Sequence, residues 1–383
     1  MKKFKSLMLA ALASAALAAP GFAGGHGSNL AMTGEIKLGL KMTSSSPDGK
    51  DTTTVQDTYI GDVNAKLTSA VSDSASYAFE FLKDDEGAGK VSFEMTGTAT
   101  SGDNSIKAFA DLSDITGTMG YGDVYIQGSN KTTTVKVGKF GGSENYSGGL
   151  GYFRAGLADI GVGNIEHILI DPFEGVEVDI NAGDIQLEVA VPWLNQASPG
   201  DNLADPTLSC GYCLKDDSGK FVNTNVTGIR PNIKAALGSA NISATFYTLS
   251  FNAQNGGVET QDKSDTAFQL MGNVATGAAT VGLGYTSKTT KNHETELTPS
   301  TLNGFVTVAL GGGQTVGASF DILGDGTEDD EATATRFSAS YGMPFFVEAV
   351  TLQLGAGTST VSSDDKSKAG SASVVGAEWE YAF

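Results

Sequence analysis

From about residue 35 to the last residue, apolar and polar positions alternate with a period of two. Ile36, Leu38, Leu40 and Met42 alternate with Glu35, Lys37, Gly39 and Lys41, and Val63, Ala65 and Leu67 alternate with Asp62, Asn64 and Lys66. A helix would repeat its apolar positions every three or four residues, whereas a strand sends successive side chains to opposite faces. The same alternation predicts strands at Tyr77, Phe79 and Phe81; at Val91, Phe93 and Met95; at Val176, Val178 and Ile180; and from Ile185 to Trp193. Later strands follow at Ile233 to Leu237, Ile242 to Phe246, Phe268 to Val274, Val281 to Tyr285, Val306 to Leu310, Val316 to Ile322 and Phe337 to Tyr341. The interleaved residues are polar, among them Glu80, Ser92, Glu94, Glu177, Asp179, Gln186 and Glu188.

Segments of roughly 9 to 11 such residues fit a tilted crossing of a bilayer, with one face to lipid and the other to a wet lumen. A soluble β-sandwich also alternates, so the connections have to separate the two. Short links at Gly238 to Ser239 and Gly311 to Gly313 mix with long polar ones at Ser44 to Asp57, Asn195 to Thr227 and Lys288 to Thr301. Tight turns at one end and long loops at the other are expected of a membrane barrel. The fold class predicted is all-β: a transmembrane antiparallel β-barrel of 16 strands, or 18 if the weak hairpin between Ser105 and Gly128 is real. No internal repeat or second domain is evident.

Composition moves the reading in the same direction. The chain of 383 residues has 50 Gly and 9 Pro, and with abundant Thr, Ser, Val and Phe this favours short strands and turns. A mean hydropathy of -0.08 is what averaging a lipid face and a wet face gives. Lys2, Lys3 and Lys5 precede an apolar stretch from Leu7 to Ala19 and the small residues ending Gly21, Phe22, Ala23. Residues 1–23 therefore read as a secretory signal, leaving 24–383 as the barrel. The formal charge is -20; without the three leader lysines, 21 basic side chains face 44 acidic ones, a balance of -23. Nucleic acid is an unsuitable partner for such a chain. Acidic outer loops suit a surface where divalent cations bridge lipopolysaccharide.

The chain ends in a strand pattern, with Val375, Ala377, Trp379, Tyr381 and Phe383 on one face and Glu378 and Glu380 on the other. An aromatic final strand closing on Phe383 resembles the signal read by the outer-membrane assembly machinery, and Trp379 and Tyr381 suit an interfacial girdle. Internally, Asp123 to Gly128, a short turn and Thr133 to Phe140 resemble the hairpin of general porins that precedes their constriction loop. The chain thus resembles the general diffusion porins of the Gram-negative outer membrane. That resemblance implies a homotrimer embedded in outer-membrane lipid and lipopolysaccharide, with an inward-folded loop. Here that loop is the segment from Gly141 to Glu174, placed after a seventh strand rather than the fifth, with Glu144, Arg154, Asp159, Glu166, Asp171 and Glu174 as candidate constriction residues. The resemblance also implies a basic ladder on the wall, for which Lys37, Lys41, Lys66, Lys107, Lys136 and Arg230 have the lumen phase. Carboxylates in a pore favour cations, so a passive, cation-preferring channel is expected.

Other constellations carry less. Cys210 and Cys213 lie in a long connection of an exported chain, which favours a local disulfide over a redox or zinc site. His26, His167 and His293 are widely spaced, and no nucleophile, base and orienter stand out, so neither an enzyme, a metal nor a cofactor is expected. Asp325 and Glu328 to Glu331 lack the spacing of a dedicated calcium loop. A substrate-specific channel and a surface structural or adhesion barrel are the alternatives to general diffusion.

Overall fold

The computed structural model describes residues 30–47, 51–72, 74–83, 90–113, 120–140, 173–192, 195–196, 214–215, 221–222, 224–253, 263–292, 295–326, 332–363 and 369–382. Eighteen long antiparallel strands form one closed sheet. They are β1 (Leu30–Pro47), β2 (Thr53–Ser72), β3 (Ala75–Lys83), β4 (Lys90–Ser101), β5 (Asn104–Ser113), β6 (Gly120–Ser129), β7 (Thr133–Phe140), β8 (Phe173–Ala182) and β9 (Ile185–Pro192). The second half continues with β10 (Thr224–Leu237), β11 (Ala240–Ala253), β12 (Lys263–Thr276), β13 (Ala279–Asn292), β14 (Ser300–Gly311), β15 (Gln314–Gly324), β16 (Thr333–Phe345), β17 (Val347–Ser362) and β18 (Gly370–Ala382). Each strand pairs with its chain neighbours, and β18 returns to β1 in the register Glu35 to Ala382 through Pro47 to Gly370. Closure leaves no free edge, which is how backbone amides inside a bilayer are all satisfied.

The doubtful hairpin is real: β5 and β6 pair from Ser105 with Ser129 to Ser113 with Gly120, so the count is eighteen rather than sixteen. The two kinds of connection sort strictly. Every link from an even strand to the next odd one has one to three residues, and every link from an odd strand to the next even one has five or more. All tight turns therefore lie at the end that holds the start of β1 and the finish of β18. Gly183 and Gly238 sit in these turns at φ near +64°, a region that costs a side chain but not glycine.

Some boundaries differ from the sequence reading. Ser44 to Pro47 and Thr53 to Asp57 belong to β1 and β2, paired as Ser44 with Thr54 and Lys41 with Asp57, so that connection is short. β10 begins at Thr224, β13 runs to Asn292, and Glu174 lies within β8 in register with Lys139 rather than in the preceding connection.

The outer face is the apolar one. Leu40 at 48%, Leu283 at 58% and Phe337 at 59% are exposed, and with Ile106, Ile126, Ile233, Phe246 and Phe268 they point away from the barrel axis. Hydrocarbon is the environment in which such a surface is stable, so the barrel is membrane-spanning. Near the tight-turn end Trp379 packs against Phe345, with centroids 6.4 Å apart, and Phe345 against Phe346 at 4.4 Å. That places Trp379 in an aromatic cluster near the tight-turn rim.

Candidate functional site

The strand phase that sends Leu38, Leu40 and Met42 outward sends Glu35, Lys37 and Lys41 into the lumen, and the rule carries round the wall. All six predicted basic residues take the inner phase. They do not form one ladder. Lys37 pairs with Glu35 at 3.2 Å on β1, and Lys41 stands two inward positions further along, past Gly39. Lys66 of β2 reaches Glu94 of β4 at 2.6 Å.

On β5, the Lys107 ammonium donates to the Tyr125 hydroxyl at 3.1 Å and lies 5.1 Å from the Phe109 ring centroid. Phe109 and Tyr125 stack at 5.3 Å, so this lysine is held by ring faces rather than by a carboxylate in contact. Gly138 opposite Tyr125 has φ +138°, and a Cβ there would meet the Val124 carbonyl and the Tyr125 backbone. Glycine is thus what lets β6 and β7 close up beneath the tyrosine.

The other two basic residues are brought together. Glu177 of β8 accepts from the Lys136 ammonium at 2.7 Å, and its second oxygen lies 3.9 Å from Arg230 Nη2 of β10. Glu188 of β9 accepts from Lys234 at 3.4 Å. Glu177 and Glu188 are each 1% exposed and Arg230 is 3% exposed. Charges cannot be buried so deeply without partners, and here Lys136, Arg230 and Lys234 balance Glu177, Asp179 and Glu188. Carboxylate oxygens of those three acids lie within 4.8 Å of one another, a metal-like spacing. The three adjacent cations already neutralise them, so a divalent ion would add net charge to a balanced set. Asp265 of β12 and Lys288 of β13 pair in the same way at 3.4 Å.

On the adjoining wall, from β3 to β6, the balance tips. Glu80, Glu94, Asp111 and Asp123 fall on adjacent strands β3 to β6, with Glu94 directly across from Asp111 and Lys66 across from Glu80. Among the described side chains of this wall four carboxylates outnumber Lys66 and Lys107, and all are only part-buried. The alternation had marked Glu80, Glu94, Glu177, Asp179 and Glu188 as interleaved polar residues; what it lacked was which of them meet across strands. Glu144, Arg154, Asp159, Glu166, Asp171, Cys210, Cys213 and Phe383 lie outside the described residues, as do residues 1–23, for which the sequence predicts a leader.

Two solved structures share this architecture along nearly their whole length. The outer-membrane expressed OmpT of Vibrio cholerae superposes with a TM-score of 0.52 at 13% identity, covering 94% of this chain and 99% of that one. The anion-selective porin from Comamonas acidovorans gives 0.52 at 10% identity, covering 93% of this chain and all of that one. The fold is that of an outer-membrane porin. A trimer form of the Vibrio cholerae OmpT aligns equally well, with a TM-score of 0.51. No family model matches the sequence, and no curated protein does either. The likeness thus resides in backbone geometry and in which residue class faces which solvent, at identities too low to carry residue roles from one porin fold to another.

Proposed function

We propose that the protein is an outer-membrane channel of a Gram-negative bacterium, through which small hydrophilic solutes and ions diffuse passively. The observation that carries this reading is the inversion of the usual globular arrangement. A closed barrel has its large apolar side chains outside and its charged groups inside, which suits lipid around and water within. Diffusion needs no reacting group, and several of the described lumen residues are held in ion pairs.

The channel prefers cations, on this reading, because Glu80, Glu94, Asp111 and Asp123 outnumber the described basic groups of their wall, and because the connection at 141–172 carries four carboxylates, Glu144, Asp159, Glu166 and Asp171, against Arg154. It works as a homotrimer, an assembly supported by the trimer form named for the aligned OmpT. Reconstitution of the purified protein in planar bilayers tests the proposal: stepwise conductance with a reversal potential favouring cations is expected, and a folded, inserted barrel without conductance would refute it. A surface structural barrel would give that second result.

A further inference from the structure

The inward lysines of this barrel mostly touch a carboxylate. Lys37, Lys66, Lys136, Lys234 and Lys288 each lie within 3.4 Å of a carboxylate oxygen. Strand β5 departs from this. Its inward row runs Lys107, Phe109, Asp111, opposite in phase to Ile106, which is exposed on the lipid face. Lys107 contacts no carboxylate among the described residues. Its cross-strand neighbours are Thr98 and Gln127, and its ammonium is held by the Tyr125 hydroxyl and by the Phe109 and Tyr125 rings. Asp111 is in no ion pair among the described residues, and its Oδ1 accepts no hydrogen bond from them. Its cross-strand neighbour Glu94 is itself an acid, already engaged by Lys66 at 2.6 Å. A cation and an anion without ionic partners thus share one strand with an aromatic ring between them, and all three side chains are part-exposed.

Their spacing selects what can bridge them. Tyr125 is in register with Phe109, and side chains stand nearly perpendicular to a sheet, so the ammonium bonded to the Tyr125 hydroxyl lies at the level of Phe109. Asp111 is two residues further along, about 7 Å at the rise of an antiparallel strand. That separation is too long for an ion pair. An α-amino acid carries its ammonium and its carboxylate roughly 3 Å apart. Charged hydrogen bonds of about 2.8 Å at either end extend its reach to roughly 8 to 9 Å, which matches the gap. A solute with a single charge satisfies one end only. We infer that Lys107, Phe109 and Asp111 form a subsite on the lumen wall for small α-amino acids. The solute carboxylate meets the Lys107 ammonium, its ammonium meets Asp111, and its side chain has apolar contact with the Phe109 ring. The subsite rests on the channel reading, since the lumen must admit the solute, but binding is measured without current.

The test titrates full-length protein, refolded in detergent and checked by heat-modifiable mobility, with L-phenylalanine under saturation-transfer NMR. Phenethylamine and 3-phenylpropionate, which keep the ring and one charge each, are the comparison solutes. L-phenylalanine is expected to bind saturably, and each single-charge compound at least about tenfold more weakly. Lys107→Gln and Asp111→Asn should each weaken L-phenylalanine by a similar factor. The orientation is read separately: Lys107→Gln should leave phenethylamine binding unchanged, and Asp111→Asn should leave 3-phenylpropionate binding unchanged. Absence of saturable binding, equal binding of the single-charge compounds, or variants that bind L-phenylalanine as the parent does would each overturn the subsite, even in a barrel that conducts. Should a variant not fold, the comparison of the three solutes on the parent protein decides alone. Saturable, two-ended binding in a barrel that carries no current refutes the proposed function and leaves the subsite standing.

Discussion

Replacing Glu177 by glutamine removes the charge that holds two buried cations. Lys136 Nζ is 2.7 Å from one oxygen and Arg230 Nη2 is 3.9 Å from the other, with side-chain exposures of 14% and 3%. At an effective dielectric near 20, a charge pair about 4 Å apart is worth roughly 4 kcal/mol, and burial costs offset most of it. The intact cluster therefore contributes little net stability, yet breaking it strands charge where water does not reach, which costs about 3–5 kcal/mol. The control is Glu94→Gln, whose partner Lys66 keeps 34% of its side chain exposed. An exposed pair of that kind is worth about 1 kcal/mol or less. Urea unfolding of the refolded barrel, followed by the mobility difference between folded and heated protein, should show a large loss for Glu177→Gln and a small one for Glu94→Gln. Adding Lys136→Met to Glu177→Gln should recover part of the loss, because one stranded cation is gone. Equal losses for the two single variants, or a double variant worse than Glu177→Gln alone, would refute the reasoning.

Three further outcomes are expected. Gly138→Ala should lower the yield of heat-modifiable barrel, since a Cβ at φ +138° meets the backbone of Val124 and Tyr125; a normal yield contradicts the close approach of β6 and β7. Gly282→Val should overpack the Phe305 ring that lies over it, costing about 1–3 kcal/mol in the same unfolding assay, with relief from an added Phe305→Ala. Deleting Phe383 should reduce assembly into the outer membrane while leaving export unchanged, and equal outer-membrane yield would sink the assembly-signal reading.

The outer face was the legible part, because lipid imposes one demand on every strand that crosses it. Ile36 to Met42 and Val375 to Tyr381 could be assigned by alternation alone, and so could the turns at Gly238 and Gly311. The hairpin of β1 and β2 was cut short in the sequence reading because Ser44, Ser45, Thr53 and Thr54 have no apolar phase. Where a ribbon has water on both faces, β-branched threonine still favours the strand, but the period-2 signal vanishes. The β11 segment from Phe246 to Phe251 held a signal that went unread. It is apolar at Tyr247, Leu249 and Phe251 as well as at Phe246, a near-continuous run of the kind that marks a strand covered on both faces. The pairing of Lys136 and Arg230 through Glu177 lay beyond the sequence, since it depends on β7, β8 and β10 coming together across more than 90 positions.

The inner wall also keeps two kinds of charge apart. Where the lumen residues are buried, attraction is strong because water is excluded, so a carboxylate such as Glu177 or Glu188 persists only in a balanced set and projects little net field. Glu80, Asp111 and Asp123 are only part-buried, and in contact with water an excess of one sign is tolerated and is what a passing ion meets. Charges on the outer connections are numerous, but salt screens them beyond about 8 Å at physiological ionic strength. The formal charge of -20 is therefore a poor guide to selectivity in this barrel. What counts is the small excess of carboxylates that face the lumen water without being locked into a balanced set such as the Glu177 cluster.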